Sequence, residues 1–487
     1  MRYSSPLTII ALSVLVHATQ AVAQAPGHGA DPLRLAVEKA LASNPEVTAK
    51  FNAYRASADA VDIANGALRP RLDVNAAAGI DENRISSRRP EAESLRRTGL
   101  GLSLTQLLWD GMGSKREVER ASHDRLSRYF DLIETTEQTS LEAARAFYDV
   151  LRFRRLVALA EDNYVEHRYA SQQIQARFRA GVGRGVDFEQ ANARLALAES
   201  NLTTETANLH DVMARYLRVI GEVPPRALGA LTVLHLGLPG SGAEVLDRAV
   251  SQSPAISATV ESVRAARLTA QVRESAFQPR VEARVRSGFG NNFDGVRDQR
   301  RDSAAELVMN WNLYNGGADQ ARVRQQVNLI SQSEDLRDKA CRDVRQTAAI
   351  AFNDTRKLTE QLVLLDRNTI AIEKARDAYR QQFDIGQRSL LDLLNSENEL
   401  YTARRAYANA EYDRALAYAR THAGMSQLTA QLGISRPLGL DDDGKAWSVG
   451  DDSPHRCPAD TISLPSIDIE ALAKRVPTLA EPAKPAP

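Results

Sequence analysis

The sequence predicts a mainly α protein with a membrane β portion, assembled from two tandem repeats. Three observations carry this. First, landmarks recur. The stretch around Pro70 reappears around Pro279, Leu108-Trp109-Asp110-Gly111 reappears as Leu313-Tyr314-Asn315-Gly316, and Phe178-x-x-Gly181 with Asp187 reappears as Phe383-x-x-Gly386 with Asp392. The offset is 209 at the prolines and 205 at the later two landmarks. Solenoid units are far shorter, about 20–50 residues, so this is a duplicated domain-sized half. The drop in offset places a length-tolerant loop between Pro70 and Trp109. Second, Ser114 to Ala180 and Ala318 to Ile385 contain neither Pro nor Gly. Each would make a helix about 100 Å long at 1.5 Å per residue, a coiled coil or tube and not a globular core. Third, ahead of each long helix the apolar period switches to two.

The elements follow in order. From Asp31 to Gly66 the pattern is helical: Leu33, Val37, Ala40 and Leu41 recur at three-to-four spacing, and Pro32 follows Asp31 at an allowed first-turn position. Pro70 ends this helix. Leu72, Val74, Ala76, Ala78 and Ile80 then alternate with Asp73, Asn75 and Gly79, and after a charged loop Leu100, Leu102 and Leu104 alternate with Gly101 and Ser103. This is a hairpin over about 72–107, its strands roughly nine to eleven residues long. A long helix spans about 114–180, glycine-bearing residues 181–185 turn the chain, and a helix returns over about 187–220. Gly221-Glu222-Val223-Pro224-Pro225 opens a linker, residues 222–242. The second repeat, residues 243–435, has a helix, a hairpin over about 281–313, a long helix over about 318–385 and a return helix over about 390–432. Residues 437–487, rich in Pro and Asp, read as an irregular tail.

Composition narrows the function. Lys and Arg number 62, as do Asp and Glu, so no electrostatic case exists for nucleic acid. No internal stretch approaches the ~20 apolar residues of a spanning helix. Residues 1–23 have the form of an export leader: Arg2, an apolar run from Leu7 to Val16, and small-x-small sites that would be cut after Ala23 or Ala25. No Cys adjoins these sites for a lipid anchor. Cys341 and Cys457 are the two cysteines, able in an oxidising compartment to form one bridge or none.

Four alternating strands in an exported chain suit a sheet whose outer face meets lipid. A lipid-embedded sheet must close, and four strands are too few, so several chains must share one barrel. Three chains give twelve strands. A small soluble sheet packed on helices is the competing account.

The order of helix, Pro, hairpin, Trp/Tyr-Asp/Asn-Gly, long helix, Phe-x-x-Gly turn and Asp-bearing helix, written twice, resembles the outer-membrane factor (TolC-like) family over roughly Asp31 to Leu432. The resemblance implies a homotrimer with a shared twelve-strand β-barrel in outer-membrane lipid, continued by a long antiparallel α-helical barrel in the periplasm with an equatorial collar. It implies a closed periplasmic tip. Asp392 matches an acidic ring that constricts the pore and is a possible site of cation block. Asn395 stands where the family's archetype has a second Asp. Arg388 matches a gate arginine, Asp187 its acidic partner, and Phe383 replaces a Tyr of that latch. Alternatively, Arg388 and Asp187 are solvated turn residues, each capping its own helix. The turn residues Gly181, Val182, Gly183, Arg184, Gly386 and Gln387 would dock a periplasmic adaptor.

No catalytic constellation stands out. The eight His residues are scattered, which argues against a metal site. Gly181-x-Gly183-x-Gly185 follows a helix and lacks the Lys-Ser/Thr of a phosphate loop. No cofactor is implied. The expected function is passive export through an outer-membrane duct, driven by an inner-membrane ABC transporter or proton-driven pump. Arg177-Phe178-x-x-Gly181 with Val186-Asp187-x-x-Gln190-Ala191-x-Ala193-Arg194-Leu195 looks more like the protein-secretion branch than the multidrug or metal efflux branch. From a different class, a soluble periplasmic coiled-coil scaffold is the rival.

Overall fold

A computed structural model describes residues 31–434 except 85 and 88, residue 457, and residues 468–475. The leader and most of the tail lie outside the described residues. The elements in chain order are α1 (Pro32–Ser43), α2 (Pro45–Gly66), β1 (Arg71–Arg84), β2 (Ala92–Trp109), α3 (Gly113–Arg179), α4 (Gly185–Ile220), α5 (Gly242–Gln252), α6 (Pro254–Glu274), β3 (Arg280–Asn291), β4 (Arg301–Asn310), α7 (Ala318–Asp384), α8 (Leu390–Gly424), α9 (Leu428–Gln431) and, in the tail, α10 (Ile469–Ala473).

The single helix expected over 31–66 is two. Asn44 caps α2 by accepting from the Glu46 amide at 2.9 Å, and Pro45 occupies the first turn. The second repeat does the same at Ser253-Pro254, where Ser253 accepts from the Ile256 amide. These prolines stand 209 apart, like Pro70 and Pro279. The return helix expected to run to 432 ends at Gly424. Ser426 is left-handed (φ 57°), and α9 starts where the buried Glu137 carboxylate accepts from the Leu428 amide (3.1 Å) and the Thr429 hydroxyl. That carboxylate satisfies otherwise orphaned helix N-terminal groups. The tail, expected to be irregular, holds the short helix α10.

The strands form one antiparallel sheet in the order β1-β2-β3-β4. They run 14, 18, 12 and 10 residues, mostly longer than expected. β1 runs on to Arg84 and β2 begins at Ala92, and Trp311, Leu313 and Tyr314 fall beyond β4. The residues added to β1 and β2 mix charged side chains (Asp81, Glu82, Arg84, Glu93, Arg96, Arg97) with Ser94, Leu95 and Gly99, so no hydrophobic alternation reveals them. The register settles the faces. Leu72 pairs with Leu104, Val74 with Leu102, Leu104 with Val285, and Ala283 with Leu307. Asp73 pairs with Ser103, Ser103 with Arg286, and Arg284 with Glu306. Cross-strand partners share a face, so one face is apolar and the other polar. The apolar face lies open in the single chain: Leu72 is 62% exposed and Leu307 69%. Among the described residues the outer edges of β1 and β4 have no partner.

Below the sheet, the Trp-Asp-Gly and Tyr-Asn-Gly landmarks start the long helices. Asp110 accepts from the Ser114 amide at 2.8 Å and Asn315 from the Asp319 amide at 3.3 Å. Gly111 and Gly316 take left-handed φ values of 66° and 72°, which disfavour other residues. α3 pairs with α4, and α7 with α8. The main core sits at the midpoint of α3. There Ala143, Phe147, Tyr148 and Val150 are fully buried against α1 (Leu33, Val37), the linker (Leu228, Leu234), α4 (Tyr216, Ile220) and α9 (Leu428). Tyr148 donates to the Thr232 carbonyl at 2.8 Å. Val245, Leu246 and Ala249 of α5 cover Ala348 near the midpoint of α7. Both repeats thus carry a belt of short elements halfway along the long helices.

Cys341 and Cys457 are bonded, resolving the alternatives left by the sequence. The pair is buried beside Val250, Ile256 and Val260 and ties the tail to the belt. Closing a loop of 116 residues stabilises a fold by about 4–5 kcal/mol in the chain-entropy model. Neither thiol should alkylate in the non-reduced, denatured protein, and both should after reduction. Alkylation without reductant would contradict the bridge.

Candidate gate at the helical tip

The far ends of the two helical hairpins are built alike. In the first, Gly181 (φ 75°) accepts the reversal at the end of α3, and the amides of Val182 and Gly183 both donate to the Arg177 carbonyl at 3.1 Å. A side chain at Gly183 would strike the Phe178 backbone within 2.8 Å. In the second, Gly386 (φ 79°) ends α7 and the Gln387 amide donates to the Gln382 carbonyl at 2.8 Å. Ser389 then caps α8 reciprocally. Its hydroxyl accepts from the Asp392 amide at 3.2 Å, and the Asp392 carboxylate accepts from the Ser389 amide (3.4 Å) and hydroxyl (3.0 Å).

The structure sorts the predicted residues. Arg388 stays within its own turn: its Nε donates to Gln382 at 3.1 Å, its guanidinium lies 3.8 Å from Asp392, and it covers the Tyr379 ring at 5.1 Å. Asp187 lies in the first turn of α4 and makes no ion pair among the described residues. The expected Asp187–Arg388 latch is therefore not formed within one chain. Asn395 accepts from Arg194 at 2.9 Å and so joins α8 to α4. Phe383, expected at the latch, is 4% exposed. It packs with Ala170, Ile174, Ala191, Leu393 and Leu394 beneath the Arg177 guanidinium at 5.0 Å. Its aromatic ring is held among the aliphatic neighbours of the tip's core. The turn residues Gly181, Val182, Arg184, Gly386 and Gln387 are exposed, with Gly183 half-buried.

Two features escaped the sequence. Val182, Val186 and Ile385 stand 80%, 66% and 69% exposed, setting apolar side chains among the exposed Arg184, Gln387 and Arg388 of the tip. Behind it, Arg376 and Arg380 approach Glu397 at 3.2 and 3.5 Å, and Arg380 also pairs with Glu166. Burial pushes the Glu397 carboxyl above its ordinary value, against the pull of Arg376. These charges have no counterpart at the repeat offset, so the duplication gave no signal for them.

His167 and His422 are each 1% exposed. His167 Nδ1 donates to the Asn163 carbonyl at 2.9 Å, and His422 Nε2 donates to the Leu234 carbonyl at 3.0 Å, fastening the linker to α8. Burial depresses both imidazoles. The folded state prefers them neutral, so their contribution is complete above the ordinary value of about 6.5 and is lost as pH falls through that value toward the depressed one. This loss contributes a drop in melting temperature in detergent on going from about pH 7.5 to about pH 5, opposed by the raised Glu397 carboxyl, whose sign is the reverse. His422→Gln should shrink that drop. An equal drop in the variant would remove His422 from the explanation.

The outer membrane efflux protein model matches residues 36–222 and 245–423, most of both repeats. The chain belongs to the outer membrane efflux protein family. It is 26% identical over 430 residues to the outer membrane efflux protein BepC of Brucella suis, covering 88% of this chain and 92% of that one. It is 23% identical over 458 residues to the outer membrane protein TolC of Salmonella enteritidis, covering 88% and 90%. It is 26% identical over 300 residues to the alkaline protease secretion protein AprF of Pseudomonas aeruginosa, covering 58% and 60%. The fold is similar to that of the outer-membrane channel OprN, with a TM-score of 0.72 at 22% identity over 81% of this chain and 90% of that one. The outer membrane efflux proteins are transport ducts and not enzymes. The sheet is thus an outer-membrane barrel segment and the helices a periplasmic tunnel, which removes the soluble-scaffold rival.

Proposed function

We propose that this outer membrane efflux protein is the exit duct of a type I protein-secretion assembly. It works as a homotrimer, its tip docked on a periplasmic adaptor and served by an inner-membrane ABC transporter. The observation that carries a shared barrel is the four-stranded sheet with an open apolar face and, among the described residues, two unpartnered edges. Unpaired strand edges are very costly in lipid, so β1 and β4 must be met by other copies. Mass measurement in detergent should give three chains. A stable monomer with intact strands would overturn the shared barrel.

Secretion is favoured by the first turn, where Phe178 stacks on Phe188 at 5.3 Å, within a motif resembling the protein-secretion branch, and by the likeness to a relative named for alkaline protease secretion. The second reading is a multidrug or metal efflux duct, favoured by the broader likeness to BepC, named for efflux. Deleting the gene separates them. The secretion reading expects proteins to vanish from the culture medium with drug and metal susceptibility unchanged. The reverse result would select efflux. At the tip, the free Asp187 carboxylate of one copy is the natural partner for Arg388 of the next, and Asp392 from three copies would face the axis.

A further inference from the structure

The outer loop of the second hairpin, residues 292–300, folds back across the sheet. Its anchor is Phe293. A side chain at Gly99 would come within 2.6 Å of this ring, and one at Gly288 would overlap it, so the two glycines form its seat. Gly288 pairs with Gly101, and Gly101 with Asn75. That is the face of Asp73, Ser103 and Arg286, opposite Leu102 and Leu104. The remaining contacts lie on the same side or at the strand ends. Asn83 Nδ2 donates to the Gly295 carbonyl at 2.8 Å, Asn292 Nδ2 donates to the Arg96 carbonyl at 2.9 Å, and Arg297 pairs with Glu93. Leu95, an apolar side chain on this polar face, is 6% exposed. Inside the loop the Phe293 amide donates to the Gln299 carbonyl at 2.9 Å.

We propose that this loop is an outer constriction of the channel, and that Phe293 on its glycine seat sets the size of what can pass the extracellular mouth. The proposal rests on the reading that the polar face lines the lumen. Three copies converging on one axis would narrow the barrel by loop mass that an ordinary surface hairpin would hold outside it. The attachment is suited to yielding. It uses one aromatic ring, a few hydrogen bonds and an ion pair at the rim, and segments so held open more readily than the strands beneath them.

The test places a cysteine below the loop, Ser103→Cys, in the full-length protein in intact cells; the native cysteines are bonded to each other and silent. A small polar maleimide added outside should label it. The same maleimide on a bulky polyethylene glycol chain should label at least about tenfold more slowly, and Phe293→Ala or Gly288→Val, which remove or evict the ring, should abolish that difference. Recovery of trimer in detergent verifies that each variant has assembled. Equal rates for both reagents in the parent would overturn the constriction, and a persistent difference in both variants would overturn the role of Phe293. If only a lipid-soluble maleimide reacts, the lumen assignment itself fails, which is a separate result.

Discussion

Leu104→Arg is expected to impair trimer assembly by about 2–4 kcal/mol if the residue lies near the bilayer centre. Leu104 sits in β2 between Leu72 of β1 and Val285 of β3, three apolar side chains abreast on one face. In the single chain it is 41% exposed, so no protein neighbour within the chain would accept a guanidinium. The neighbouring position is the control. Ser103 points to the opposite face beside Asp73 and Arg286, where water and a carboxylate can take the charge. Ser103→Arg should therefore assemble nearly as well as the parent. The trimer fraction recovered from membranes measures both. A normal yield for Leu104→Arg with a poor one for Ser103→Arg would mean that the polar face meets lipid.

The sheet was legible because lipid demands apolar residues at every second position and the duplication supplied two copies of the pattern. The strand ends were not. Glu82, Glu93 and Arg97 continue the ladder outside the reach of that rule, and Arg97 is stabilised instead by Asp81 at 3.3 Å. The long helices were legible from the absence of Pro and Gly, but the breaks at Pro45 and Pro254 were not. A proline in the first turn of one helix leaves the three-to-four spacing running on from the helix before it. The start of α9 is fixed by Glu137, nearly 300 residues earlier in the chain, which no local pattern can report. At the tip the turns followed from Gly181 and Gly386. The fate of Phe383 did not, because its repeat partner Phe178 is 43% exposed while Phe383 is buried. The Arg388–Asp392 contact has ordinary i,i+4 spacing and was legible on that ground.

Arg388→Ser is expected to raise single-channel conductance in planar bilayers. In one chain Arg388 bridges Gln382, Tyr379 and Asp392, and the proposed contact with Asp187 of the next copy would add a tie between chains. A partly exposed ion pair contributes about 0–1 kcal/mol. Three copies together contribute up to about 3 kcal/mol, and their loss would shift a closed-to-open ratio by up to about a hundredfold. Such a weak latch suits a tip that must yield when an adaptor binds. Asp392 needs two variants, because its carboxylate also completes the cap of α8. Asp392→Asn keeps an acceptor for Ser389 and removes the charge. Asp392→Ala removes both and should also destabilise by about 1 kcal/mol, the usual worth of a cap. Block of the pore by a multivalent cation should vanish in both variants, while the melting temperature falls clearly only in Asp392→Ala. If block survives in Asp392→Asn, the cation is held elsewhere. If Arg388→Ser conducts like the parent, the closed tip is held by the packing of Phe383 against Leu393 and Leu394, and Phe383→Ala becomes the variant that opens it.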